Sequence, residues 1–224
     1  MTREYLFDYG RVLNDSDSYS THWTSIYDDR LSLPQNFLNI IEDSVYLPQD
    51  FYRIVCAYAF IPSVLAKTVP YLFLNGVSGS GKSTLGKLIA HLHGVKLNTS
   101  GDTFASIRNS LEERRHGYVR VPSDNPAFPN GFFKKVEVNT ILIWDDIDPS
   151  VFSSSGDLYR LFKFGYDKSS DKIEISSLEH GKNLVFHCFC PKVFSSISPL
   201  HLDDRFLELR RRLLVIPCKK IEDL

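Results

Sequence analysis

The chain has 224 residues, 43% of them hydrophobic and 24% charged, and a formal net charge of −1. That balance excludes wholesale disorder and suits the core of one α/β domain with a short extension. It also excludes a global electrostatic pull toward nucleic acid, so any such contact has to come from a local patch.

Residues 1–33 mix acids, serines and aromatics without a sustained period, and Asn14-Asp15-Ser16-Asp17-Ser18 is a turn-rich break. Charged and polar residues follow Met1, so no secretory signal is expected and the chain reads as cytoplasmic. The arm carries Tyr5, Phe7, Tyr9, Tyr19, Trp23 and Tyr27, suited to packing on its own core or on a neighbouring subunit. Pro34 opens a predicted short helix through Asp43, with Phe37, Leu38, Ile40 and Ile41 on its apolar side. A second helix is predicted from Gln49 to about Ala66. The division expected is an arm and short helix over 1–48 and a domain over 49–224. The apolar stretch Ile54–Val69 is interrupted by Pro62 and Lys67 and is too short to span a bilayer, so no membrane partner is expected.

The apolar run Tyr71-Leu72-Phe73-Leu74 predicts a strand to Asn75, followed directly by Gly76-Val77-Ser78-Gly79-Ser80-Gly81-Lys82-Ser83-Thr84. A helix is expected from Lys82 to His93, with Leu85, Leu88, Ile89 and Leu92 on one face. A strand, a glycine-rich turn and a helix N-terminus together form a cradle of backbone N–H groups for a polyanion. In such a loop Lys82 reaches the β- and γ-phosphates of a nucleotide, and the Ser83 hydroxyl takes a site on Mg²⁺.

Beyond the loop, strands are predicted at Val95–Asn98, Thr140–Asp145, Leu184–Cys190 and Leu213–Pro217. Helices are predicted at Thr103–Arg114, Gly156–Tyr166 and roughly Pro191–Ile197. This alternation is the signature of a parallel sheet covered by helices on both faces. The connection from Arg115 to Val138 holds Pro122, Pro126, Pro129 and Gly131 and is long enough to suspect a working loop. Cys188 and Cys190, two apart, read as reduced core thiols rather than metal ligands; Cys56 and Cys218 show no paired spacing either.

Thr140-Ile141-Leu142-Ile143-Trp144 is a buried strand ending in the paired acids Asp145 and Asp146. In a parallel sheet the carboxyl ends of strands open onto the ligand crevice. Asp145 is therefore placed to hold Mg²⁺ and Asp146 to orient the attacking water. Near the C-terminus, Arg205 in Asp204-Arg205-Phe206 is the candidate for a guanidinium supplied to a neighbour's site, with Arg210–Arg212 as the alternative.

The phosphate loop, the Asp145–Asp146 strand, the Leu158–Tyr166 helix, a hairpin, Phe189-Cys190-Pro191-Lys192-Val193-Phe194 and Asp204-Arg205-Phe206 occur in an order that resembles a known group. They are similar to the AAA+ helicase-like ATPases, related to superfamily 3 helicases, encoded beside primase domains in phages, plasmids and mobile elements. The resemblance spans about residues 50–218. It implies a P-loop fold, hydrolysis of ATP with Mg²⁺ and a homo-oligomeric ring, a hexamer being favoured. It also implies action on single-stranded or double-stranded DNA and a primase or other replication partner. A hairpin of Lys172–Ser176 and Leu184–His187 would present His180 and Lys182 to nucleic-acid phosphates. Lys192 stands near where a residue would sense the γ-phosphate. Many such ATPases carry Glu where Asp146 stands. Two other readings stay open: an ATP-switched assembly factor that binds protein, and a small-molecule kinase resembling the sugar-acid kinases.

Overall fold

The computed structural model describes residues 23, 25–121, 132–138, 140–150, 156–177 and 182–220. In chain order it forms α1 (Leu33–Ser44), α2 (Gln49–Ala59), β1 (Tyr71–Asn75), α3 (Lys82–Leu92), β2 (Leu97–Asn98), α4 (Phe104–Arg114), β3 (His116–Val121) and β4 (Phe132–Glu137). There follow β5 (Leu142–Trp144), α5 (Gly156–Phe164), β6 (Lys172–Ser177), β7 (Lys182–His187), β8 (Lys192–Ser196), α6 (Leu207–Arg210) and β9 (Leu213–Pro217).

Five of the strands form a parallel sheet in the order β2-β5-β8-β1-β9. Successive side chains on a strand point to opposite faces, which divides the core in two. Leu72 and Leu74 face one side with Ile143, Val193 and Ile216, where α1, α2 and α3 cover them. Tyr71 and Phe73 face the other with Trp144 and Phe194, beneath α4, α5 and α6. The chain is thus α/β, with helices on both faces of a parallel sheet.

Local chemistry sets the element ends. Ser32 caps α1 reciprocally with Gln35, with proline in the first turn. Thr103 caps α4 by accepting from the Ser106 N–H at 3.2 Å. α2 stops at Ala59 and does not run to Ala66, because Pro62 disfavours helical backbone at the residue before it. Trp23 of the arm is buried, its ring centroid 5.4 Å from that of His91. The other aromatics expected in that arm, except Tyr27, lie outside the described residues.

Two expectations need correction. Pro191–Ile197 is not a helix: Lys192–Ser196 is β8, buried throughout and paired with β1 on one edge and β5 on the other. Val193 and Phe194 point to opposite core clusters, and a short apolar run of this kind has no periodicity that separates strand from buried helix. Accordingly, the fourth strand of the sheet is not Leu184–Cys190. Residues 184–187 belong to β7, and 188–190 turn the chain into β8.

The 115–138 connection is likewise not irregular throughout. It contains the antiparallel pair β3–β4, in register from His116↔Glu137 to Val121↔Phe132. The hairpin expected at 172–187 is present as β6–β7, running from Lys172↔His187 to Ser177↔Lys182. Among the described residues no helix is long and apolar enough to cross a membrane.

Candidate functional site

The glycine-rich segment after β1 is held in shape by close backbone approaches. The Cys218 N–H donates to the Asn75 carbonyl at 2.7 Å. This brings the two chains so near that a Cβ on Gly76 would lie 2.1 Å from the Cys218 carbonyl oxygen. Gly79 and Gly81 have φ of +77° and +83°, the left-handed region in which a side chain is strained. A Cβ on Gly81 would also fall 2.2 Å from Val45 Cγ1. Gly81 precedes the first turn of α3 without a side-chain cap, so no side chain closes the helix N-terminus.

Lys82 folds back over this loop. Its Nζ donates to the carbonyls of Gly76 and Val77, each at 2.7 Å, and lies 3.4 Å from Ser80 Oγ. Burial pulls its pKa below the usual lysine value, while Cys218, Asp146 and Asp145 oppose that shift. Gly76 and Val77 thus contribute carbonyls to the lysine. Ser78, Gly79, Ser80, Gly81, Lys82, Ser83 and Thr84 line the adjoining cleft of about 560 Å³.

Asp145 and Asp146 reach the same cleft from the end of β5. The Asp145 N–H donates to the Asn98 carbonyl at 2.8 Å, extending the β2–β5 ladder to the acid itself. Ser83 Oγ donates to Asp145 Oδ1 at 3.1 Å, and Ser195 Oγ donates to the same oxygen at 2.6 Å. Asp146 is exposed and takes φ +53°, and its N–H donates to Ser195 Oγ at 2.8 Å. One hydroxyl at the tip of β8 therefore ties the Asp145 side chain to the Asp146 backbone. Ile197, 61% exposed, stands at the rim.

Ser195 has no local signal in the sequence, because its place depends on β8 being a strand whose end lies beside Asp145. The same register corrects Lys192. It sits at the opposite end of β8, fully buried, its Nζ donating to the carbonyls of Gly165, Cys188 and Cys190 at 3.1, 2.8 and 3.2 Å. Lys192 therefore cannot sense a group bound at the glycine-rich loop.

A second cleft of about 430 Å³ opens beyond the loop, between Ser44, Val45 and Tyr46 on one wall and Lys219 and Lys220 on the other.

Arg205 lies outside the cleft. Its guanidinium is exposed and pairs with Asp203, Nη2 to Oδ2 at 2.6 Å and Nε to Oδ1 at 3.0 Å, and lies 5.5 Å from the Phe206 ring centroid. The Asp203 carboxyl is held below its usual range chiefly by that side-chain hydrogen bond. Of the alternative cluster, Arg212 is engaged internally, donating to the carbonyls of Phe162 and Lys163 and lying over the Tyr166 ring. His180 lies outside the described residues. For Lys182 only the backbone is described, paired with Ser177.

Among the described residues, no group of three or more His, Cys, Asp or Glu side chains is arranged to hold a metal ion. The four cysteines carry free thiols. No protein-family model matches the chain, and no curated protein matches its sequence.

Proposed function

We propose that the chain is a Mg²⁺-dependent ATPase of the AAA+-like P-loop class, working in a homo-oligomeric ring, a hexamer being favoured. The observation that carries the reading is the meeting of Ser83 and Asp145, 62 residues apart in sequence, at the mouth of a glycine-rich loop containing a buried lysine. A hydroxyl and one carboxylate form an incomplete cage. That donor set fits Mg²⁺, which takes its remaining oxygens from phosphates and water. When bound there, the ion supplies neutralisation of charge on the phosphate oxygens.

The chain's own residues do the rest. Lys82 exchanges its carbonyl partners for phosphate oxygens, and the backbone of the loop and the N-terminus of α3 surround the phosphate chain. Asp146, held in a left-handed conformation, aims its carboxylate into the cleft to orient the attacking water. It is shorter than the Glu usual at that place in the class it resembles. Tyr46, Lys219 and Lys220 flank the space into which the nucleoside extends. Arg205 serves the site of an adjacent subunit, where a guanidinium offsets charge on the transferring phosphoryl group.

The output we favour is movement on single-stranded or double-stranded DNA in the cytoplasm, alongside a primase or other replication partner. Its support is the pair of hairpins, with Phe133, Lys134 and Lys135 exposed on β4 and Lys172 exposed on β6. An ATP-switched assembly factor is the second reading. It is favoured by Leu202 and Leu207, which flank Arg205 in sequence and leave 62% and 54% of their surface exposed, and by Ile197, 61% exposed at the rim of the cleft. The small-molecule kinase reading has no comparable observation behind it.

A turnover assay decides the enzymatic part. The wild-type protein is expected to release phosphate from ATP only with Mg²⁺ present, and Lys82→Ala to lose turnover. Faster hydrolysis with DNA supports the motor, and a rate indifferent to DNA at low salt supports the switch. Absence of nucleotide binding by the wild-type protein would overturn all of these readings.

A further inference from the structure

Both hairpins leave the sheet at the edge opposite the glycine-rich loop. β4 leads to the start of β5 and β7 to the start of β8, whereas the loop follows the end of β1. The five residues of β8 set these edges roughly 16 Å apart, at about 3.3 Å per residue. Between the hairpin roots lies a cleft of about 620 Å³. Two cross-strand root pairs contribute to its walls, His116 opposite Glu137 and Lys172 opposite His187.

The acids in this cleft are consumed by its own framework. Arg115 Nη2 lies 3.1 Å from Glu137 Oε1 and 3.3 Å from Asp171 Oδ2. Lys168 Nζ takes the other oxygen of Glu137 at 3.3 Å, and His187 Nδ1 is 3.0 Å from Asp171 Oδ2. Lys135 and Lys172 also line the cleft, with no carboxylate partner among the described residues. Leaving the histidines out of the count, four cations against two carboxylates leave two positive charges in a chain whose formal charge is −1.

Strand alternation places Phe133 on the same face of β4 as Lys135 and Glu137, and Phe133 is 72% exposed. An exposed ring followed on one face by a cation and a basic hollow matches the repeat of a single nucleic-acid strand, base then phosphate. An acidic peptide would satisfy the charges but leave the ring without a flat partner.

We propose that the cleft between the hairpin roots binds the phosphodiester backbone of a single nucleic-acid strand, with Lys135 and Lys172 as the phosphate contacts and Phe133 as the stacking surface. This rests on the nucleic-acid part of the function proposed above and moves the contact from the hairpin tip at His180 and Lys182 to the roots.

The test is fluorescence anisotropy of a labelled oligothymidylate of about 20 nucleotides, with the full chain and no ATP, across a salt series. Lys135→Ala/Lys172→Ala is expected to bind at least about tenfold more weakly. Its slope of log affinity against log salt should be shallower by about 1.4, or about 0.7 for each single-strand phosphate that the variant leaves unneutralised. Phe133→Ala should lose affinity and keep the slope. The control Lys96→Ala/Lys163→Ala, which removes two positive charges elsewhere, should bind like the wild type. Three results overturn the proposal. If the root variant binds normally while His180→Ala/Lys182→Ala does not, the binding surface is at the tip and the nucleic-acid reading survives. If polyglutamate competes as well as the oligonucleotide at equal charge, the partner is an acidic protein. If the wild type binds no oligonucleotide at low salt, the nucleic-acid reading fails as well.

Discussion

Ser195 and Asp145, fifty residues apart in sequence, are joined by a 2.6 Å hydrogen bond between the tips of neighbouring strands. The same hydroxyl accepts the N–H of Asp146, so one side chain helps to position both acids. Groups that orient a metal-holding carboxylate typically matter by 10- to 100-fold in affinity or activity.

Ser195→Ala should therefore lower ATP turnover by about 10- to 100-fold and raise the Mg²⁺ concentration needed for half-maximal rate. Ser195→Thr, which keeps the hydroxyl, should recover most of the loss. A Mg²⁺ titration of steady-state phosphate release checks this, and an unchanged Mg²⁺ requirement in Ser195→Ala would remove the serine from this role.

Arg205 is predicted to act between subunits. Arg205→Ala should bind a fluorescent ATP analogue normally and lose turnover by about a thousandfold, the scale of a supplied guanidinium. Mixing it with Lys82→Ala subunits should restore part of the rate, because the second variant donates the arginine and the first supplies an intact site. No recovery on mixing would argue against donation in trans.

Two glycines should respond differently to alanine. The Gly76 Cβ would meet the Cys218 carbonyl oxygen at 2.1 Å, and backbone cannot step aside without loosening β9 from β1. The Gly81 Cβ meets the tip of a valine side chain at 2.2 Å and adds left-handed strain. Gly81→Ala should cost about 1–3 kcal/mol and Gly76→Ala more, read from urea unfolding midpoints. Val45→Ala should relieve part of the Gly81→Ala defect and none of the Gly76→Ala defect.

His93 sets a pH limit on stability. Its Nε2 lies 2.8 Å from the Ala59 carbonyl, which can only accept, so Nε2 carries the proton of a neutral ring. Burial pulls its pKa from 6.5 down to about 4. The folded pKa is the lower one, so the contribution is complete above pH 6.5 and is lost as pH falls toward 4. The span from 6.5 to about 4 amounts to about 3 kcal/mol. His93→Gln, with a donor but no titration, should flatten this part of the unfolding profile.

Much of the architecture is legible in the residues themselves. The β1 run, the glycine-rich loop and the amphipathic α3 need only local patterns, and their expected bounds differ from those observed by one residue at the end of α3. The convergence of that loop on Asp145 and Asp146 follows from the rule that parallel strands open their carboxyl ends to one crevice. What escapes is decided by partners distant in sequence. Lys192–Ser196 is a strand because two neighbours pair with it, and Ser195 gains its place beside Asp145 only through that pairing. β3 and β4 escape for a related reason, since each finds its ladder only in the other across an intervening segment rich in proline.

β8 is gripped along both edges, by β1 on one side and by β5 on the other, and its Lys192 end is anchored by three carbonyls. A strand so laced cannot slip by a residue pair without tearing two ladders at once. News of what occupies the acidic tip therefore has no slack through which to dissipate inside the subunit. In the ring proposed above it would leave as a tilt of the whole body, read at the angle between neighbouring subunits.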